Sequence, residues 1–79
     1  MTDYVPIDCG IYSGYELAII QRRRLRLTWR GDDGIIHIRT VTPTDLHTRN
    51  KGEFMVVTDE RGDRYNIRLD HIRRHEILQ

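Results

Sequence analysis

The sequence predicts a mainly β fold: a small, bent, Sm-like antiparallel barrel of about five strands with one α-helix in front of it. Three observations carry that expectation. The hydrophobic period is helical only near the N-terminus and changes to two from Leu25 onward. Turn signals then separate the alternating runs, at Gly31-Asp32-Asp33-Gly34 and again at Glu60-Arg61-Gly62-Asp63. Finally, the chain has 79 residues, enough for one domain over 1–79 but too few to cover a flat five-stranded sheet, so the sheet must bend on itself.

The helix reads first. Ser13-Gly14-Tyr15-Glu16 fits a capping box, with Ser13 as N-cap and Glu16 reaching back from N3. Good helix formers follow, which predicts a helix from Gly14 to Arg23. Glu16 in its first turn and Arg22 to Arg24 in its last would both suit the helix dipole. Leu17 and Ile20 share one face and Tyr15, Ala18 and Ile19 an adjacent one, so the helix is expected to pack on two sides.

Leu25, Leu27 and Trp29 then alternate with Arg24, Arg26, Thr28 and Arg30, the pattern of a half-buried strand. Ile36, Ile38 and Thr40 alternate with His37 and Arg39 in a second strand. Pro43 to Gly52 reads as a polar loop, with one helical turn at Thr44-Asp45-Leu46. Glu53 to Asp59 is a third strand, and its apolar centre Phe54-Met55-Val56-Val57 marks it as an interior one. Tyr65, Ile67 and Leu69 alternate in a fourth strand, and His71 to Ile77 forms a short fifth strand at an edge.

Composition narrows the function. The longest apolar run, Leu17-Ala18-Ile19-Ile20, is far short of a membrane span. Met1-Thr2-Asp3-Tyr4 has neither the basic start nor the apolar stretch of a secretory leader, so a cytoplasmic protein is expected. The single cysteine, Cys9, excludes an internal disulfide and reads as a small buried hydrophobe. His71 and His75 are four apart but lie in strand-like sequence, and His37 and His47 are isolated, so no metal site is expected. Ser13 is used as a cap and Asp32 and Asp33 belong to a turn, which leaves no nucleophile with its base and no paired carboxylates. The expectation is a protein without catalytic activity or cofactor.

Charge is unevenly spread. The net charge is +1, yet residues 1–20 carry Asp3, Asp8 and Glu16 without a lysine or arginine, while residues 21–30 carry Arg22, Arg23, Arg24, Arg26 and Arg30. The arginines could neutralise the phosphates of a single-stranded nucleic acid. The balanced net charge and the absence of an exposed stacking aromatic favour the plainer reading, a helix end and the solvent face of a strand. In the N-terminal segment, Tyr12 and Glu16 suggest a protein-docking surface. Tyr4, Ile7 and Tyr12 could equally pin the N-terminal arm to the barrel.

One resemblance joins these features. Tyr4-x-Pro6-Ile7-Asp8-Cys9, Tyr12 and Glu16-Leu17-Ala18 are followed in order by Leu27-Thr28, Asp33-Gly34 and Thr48-Arg49-Asn50-Lys51. Glu53-Phe54-Met55-Val56-Val57 and Ile67-Arg68-Leu69-Asp70-x-Ile72 complete the set. This ordered set resembles the Rho-binding antiterminator (Rof, also called YaeO) family over nearly the whole chain. The resemblance implies an Sm-like barrel that binds the N-terminal RNA-binding region of the transcription termination factor Rho. RNA loading at the primary site is then blocked, with no catalysis, no cofactor and no direct nucleic-acid binding. It implies Tyr12, Glu16 and Arg49 as interface residues, joined by Asn50 and Lys51, whose basic and amide residues stand in the opposite order. Better-known members are acidic and carry carboxylates where this chain has Gly10, Ile11 and Ser13, and the helix-to-strand link of this chain is about two residues longer than theirs and holds the arginine run. The arginines and the polar fifth strand argue against strand pairing between subunits, so a monomer is expected.

Overall fold

The computed structural model describes residues 4–78. One helix, α1 (Cys9–Ile20), precedes five strands, β1 (Leu25–Arg30), β2 (Ile36–Arg49), β3 (Gly52–Asp59), β4 (Arg64–Arg68) and β5 (Ile72–Ile77), with a 3-10 turn at Leu69–His71. The strands form one antiparallel sheet in the order β4-β3-β2-β1-β5. Its two edges, β4 and β5, do not pair with each other, so the bent sheet stays open. The mainly β, Sm-like class read from the sequence is therefore the class observed. Among the described residues no helix is long and apolar enough to cross a membrane.

The helix begins and ends earlier than the capping-box reading places it. Asp8, not Ser13, is the N-cap: its carboxylate accepts the Gly10 N–H at 2.9 Å and its carbonyl accepts the Tyr12 N–H at 3.0 Å. Ser13 and Glu16 lie within the helix. The C-terminal end is a Schellman turn, with Arg22 at φ +55°, Arg22 N–H on the Ile19 carbonyl and Arg23 N–H on the Ala18 carbonyl. The last helical turn thus holds no basic residue, and Arg22 to Arg24 belong to the connector instead. Only one face packs. Tyr15 and Ala18 are buried, while Leu17 and Ile20 are 51% and 76% exposed, because the sheet offers the helix a single surface.

β1 supplies Leu25, Leu27 and Trp29 to the core, where Val41, Met55, Val57, Ile67 and Leu69 join them. β3 is an interior strand, as its apolar centre predicts. β2 departs from expectation twice. First, its alternation is turned over. The loop Asp32-Asp33-Gly34 closes with Gly31 N–H on the Ile35 carbonyl at 2.8 Å and Gly34 at φ +81°, which sets Trp29 opposite His37. Since Trp29 is buried, His37 follows it inward and stacks on it at 5.2 Å between ring centroids. Ile36 and Ile38 consequently face outward.

Second, Pro43 to Arg49 is strand rather than loop or helical turn. A bulge at Thr44 absorbs one residue between the pairs Pro43–Val57 and Asp45–Val56, and the Thr44 hydroxyl donates to the Val56 carbonyl at 3.2 Å. Pro43, which has no N–H, is tolerated at that irregular point. The connection to β3 shrinks to Asn50-Lys51, at φ +49° and +65°, the conformation of a two-residue I′ turn. β4 ends at Arg68, before Leu69, because the chain turns there in the 3-10 segment and leaves Leu69 buried.

Candidate protein interface

The N-terminal arm is pinned before it enters α1. Val5 N–H donates to Asp70 Oδ2 at 3.0 Å. Arg68 grips the same carboxylate with Nε at 3.0 Å and Nη2 at 2.7 Å, the fork geometry that guanidinium and carboxylate share. Burial pulls the Asp70 carboxyl upward, but these bonds and the charges of Arg68 and His71 outweigh it and hold the group below its ordinary value. The Arg68 guanidinium lies 5.7 Å from the centre of the Tyr4 ring. The Tyr4 hydroxyl donates to Glu53 Oε1 at 3.3 Å, and burial followed by the charge of Glu53 raises its pKa. Gly52 is buried beneath this arm, where a Cβ would come within 3.3 Å of the Phe54 ring and 3.5 Å of Tyr4.

This anchoring sets where the helix begins and hence what Tyr12 meets. Tyr12 is half-buried against the core. Its phenol is raised by burial first and then by the charges of Glu53, Glu16 and Asp45. Carboxylates on α1, β2 and β3 therefore all act electrostatically on one phenol. Asp45 directly follows the bulge and accepts the Leu46 N–H at 2.9 Å. Glu53 sits opposite Thr48, one step from Arg49 and the Asn50-Lys51 turn.

Of the residues singled out from the sequence, Tyr12 and Glu16 lie on α1, which packs against β2, and Arg49, Asn50 and Lys51 lie at the far end of β2 and in the turn to β3. Arg49 is the last residue of β2 rather than part of a loop. Glu16, Arg49, Asn50 and Lys51 are all exposed. Gly10, Ile11 and Ser13 bring no acid to the helix start, but Asp45 and Glu53 supply acid from the sheet. Sequence reasoning missed both because they are near Tyr12 only across strands; the signal for Asp45 was Pro43-Thr44, a bulge read as a loop.

The arginine run is not brought to this surface as a unit. Arg22, Arg23 and Arg24 lie in the connector, whereas Arg26 and Arg30 share the outer face of β1. Cys9 is exposed at the first helical position rather than buried, because the helix starts there instead of at Gly14. His75 Nδ1 lies 3.3 Å from the Tyr15 hydroxyl, whose pKa burial pushes up to about 12. Among the described residues no three His, Cys, Asp or Glu side chains are placed to hold a metal ion.

A bent five-stranded antiparallel sheet preceded by one helix is the class that the fold defines. No family model and no curated protein sequence matches the chain. Among solved structures it is similar to part of the proteasome accessory factor B/C (PafBC) of Arthrobacter aurescens. The TM-score is 0.77 at 20% identity, over 98% of this chain and 12% of that one. A likeness at that identity shows the fold alone, and this chain spans only a small part of that protein's length.

Proposed function

We propose that this protein is a non-enzymatic inhibitor of Rho-dependent transcription termination. It binds the N-terminal RNA-binding region of Rho and prevents RNA from loading at the primary site. The observation that carries this reading is that Tyr12, half-buried on α1, feels the negative charges of Glu53, Glu16 and Asp45 from three different elements. A site built for single-stranded RNA offers cations for phosphates and a surface for bases. An aromatic ring with carboxylates in its electrostatic neighbourhood offers the same two chemistries from a protein. Arg49, Asn50 and Lys51, at the hairpin tip, supply donors to carbonyl or carboxylate groups of Rho. The ordered resemblance to the Rof family supports the same assignment.

The test is competition. A labelled pyrimidine-rich oligonucleotide is loaded onto purified Rho, the protein is added, and anisotropy is followed at two salt concentrations. The expected result is displacement, with no change when protein and oligonucleotide meet alone. Glu16→Lys should abolish displacement while leaving the circular dichroism spectrum unchanged, since Glu16 is exposed. Salt-sensitive binding of the oligonucleotide by the protein itself, without displacement, would move the function to Arg22, Arg23, Arg24, Arg26 and Arg30.

A further inference from the structure

A cleft of about 320 Å³ opens between the β1–β2 turn and β4, and it contains none of the residues assigned to the Rho surface. Three rings line it. Trp29 of β1 is buried, and His37 of β2 stands opposite it in register. Tyr65 comes from β4, which the bend of the sheet carries back onto β1 although β2 and β3 lie between them in strand order. The His37 ring lies nearly parallel to the indole, 5.2 Å away at 19°. The Tyr65 ring crosses it steeply, 5.4 Å away at 66°. Aromatic surfaces in two orientations therefore border one space.

Two carboxylates border the same space. Asp32 and Asp33, both exposed in the turn, line the cleft with Gly31. A Cβ on Gly31 would lie 2.7 Å from Asp33 Oδ1 and 3.0 Å from His37 Nε2, so a larger residue there would displace both side chains. The charge of Asp32 also acts on Arg68, but that guanidinium is held by both oxygens of Asp70.

The polar atoms that could grip a ligand by hydrogen bonds are already engaged. The Tyr65 hydroxyl donates to Asp59 Oδ2 at 3.1 Å. Asn66 Oδ1 is 2.9 Å from His47 Nε2, and Asp33 Oδ1 accepts the Ile35 N–H at 2.9 Å. What the cleft offers is ring surface and negative charge. An anion would be repelled, and a primary ammonium or guanidinium would lose water without gaining enough acceptors. A cation that carries its charge on methyl groups needs neither, and aromatic faces attract it.

We propose that this cleft binds a trimethylammonium group, with Trp29, His37 and Tyr65 as the aromatic walls and Asp32 and Asp33 as the source of negative potential. The group could belong to a small quaternary amine or to a trimethylated lysine on a protein; the chemistry recognised is the same.

Trp29 is the single tryptophan of the chain, so its fluorescence reports on the cleft. The full chain is titrated with choline, with its uncharged isostere 3,3-dimethylbutan-1-ol, and with ethanolamine, which keeps a charge but bears N–H donors. Choline should change the emission saturably in the millimolar range, and neither control should do so. The double variant Asp32→Asn, Asp33→Asn keeps the acceptor for the Ile35 N–H, and His37→Leu keeps an apolar cover on the indole. Each should weaken choline binding about threefold with an unchanged circular dichroism spectrum. A peptide with one trimethyllysine that binds more tightly than choline would support the site and place the cation on a protein. Equal binding would support it and point to a small solute. A flat choline titration of the unaltered protein would overturn the proposal. So would equal binding of the uncharged isostere, equal binding of ethanolamine, or unchanged choline affinity in either variant. None of these outcomes depends on Rho.

Discussion

The two halves of β2 behave oppositely. Residues 36–40 are the more apolar, yet Ile36 and Ile38 lie in solvent. Residues 41–49 read as polar, yet Val41 and Pro43 are buried and Leu46 is half-buried against the core. Neighbours make the difference. The first half pairs with β1 alone, whereas the second pairs with β3 and places Asp45 where its charge acts on the Tyr12 phenol of α1. In a small bent sheet, burial follows register and the number of covering elements more closely than it follows local hydrophobicity.

The largest way to break this contrast is through the covered half. Met55 pairs with Leu46 and is fully buried, so Met55→Ala should cost about 3 kcal/mol, read from urea unfolding. If the cost were below about 1 kcal/mol, the second half of β2 would not be packed as described.

The point where β3 stops following β2 offers the next test. Asp59, opposite Val41, is buried and accepts N–H bonds from Arg61 and Asp63, each at 2.9 Å, and the Tyr65 hydroxyl at 3.1 Å. Burial raises its carboxyl, but those bonds and the charge of Arg39 prevail and hold it below its ordinary value. A carboxyl whose pKa is depressed by folding contributes stability above its unfolded value, about 3.9, and loses it as the pH falls through the folded one. The urea midpoint should therefore drop below about pH 4, and Asp59→Asn should flatten that part of the pH dependence.

The two hairpins of β2 give a smaller effect. The first turn places a glycine, Gly34, at positive φ; the second places Asn50 and Lys51 there. Lys51→Gly should stabilise the protein by about 0.5–1 kcal/mol through relief of backbone strain. The same substitution should weaken Rho binding if Lys51 is a contact, and the opposed signs would mark a residue kept for function. The smallest effect belongs to the exposed half: Ile38→Thr should change stability by less than about 0.5 kcal/mol. A larger loss would mean that this half is covered after all.

Much of the fold was legible in the residues. Leu25, Leu27 and Trp29 alternate cleanly, and Asp33-Gly34 and Gly62 mark two turns because backbone geometry there depends on a few adjacent residues. The helix start was misplaced because Ser13-x-x-Glu16 and Asp8 are both acceptable caps, and only the pinning of Val5 to Asp70 favours the earlier one. Tyr12, Glu16 and Arg49 could be picked out one by one. Asp45 and Glu53 could not, since their part in the surface exists only across strands.

The sequence by itself determined the class: one helix, five strands, and a core built from the alternation of β1, β3 and β4. Those features depend on local period and turn chemistry, which neighbouring residues specify. Tertiary structure alone decided which side of β2 is covered and which carboxylates act on Tyr12. Each of these rests on register between distant segments, and one residue of slip or one bulge reverses the face a side chain presents.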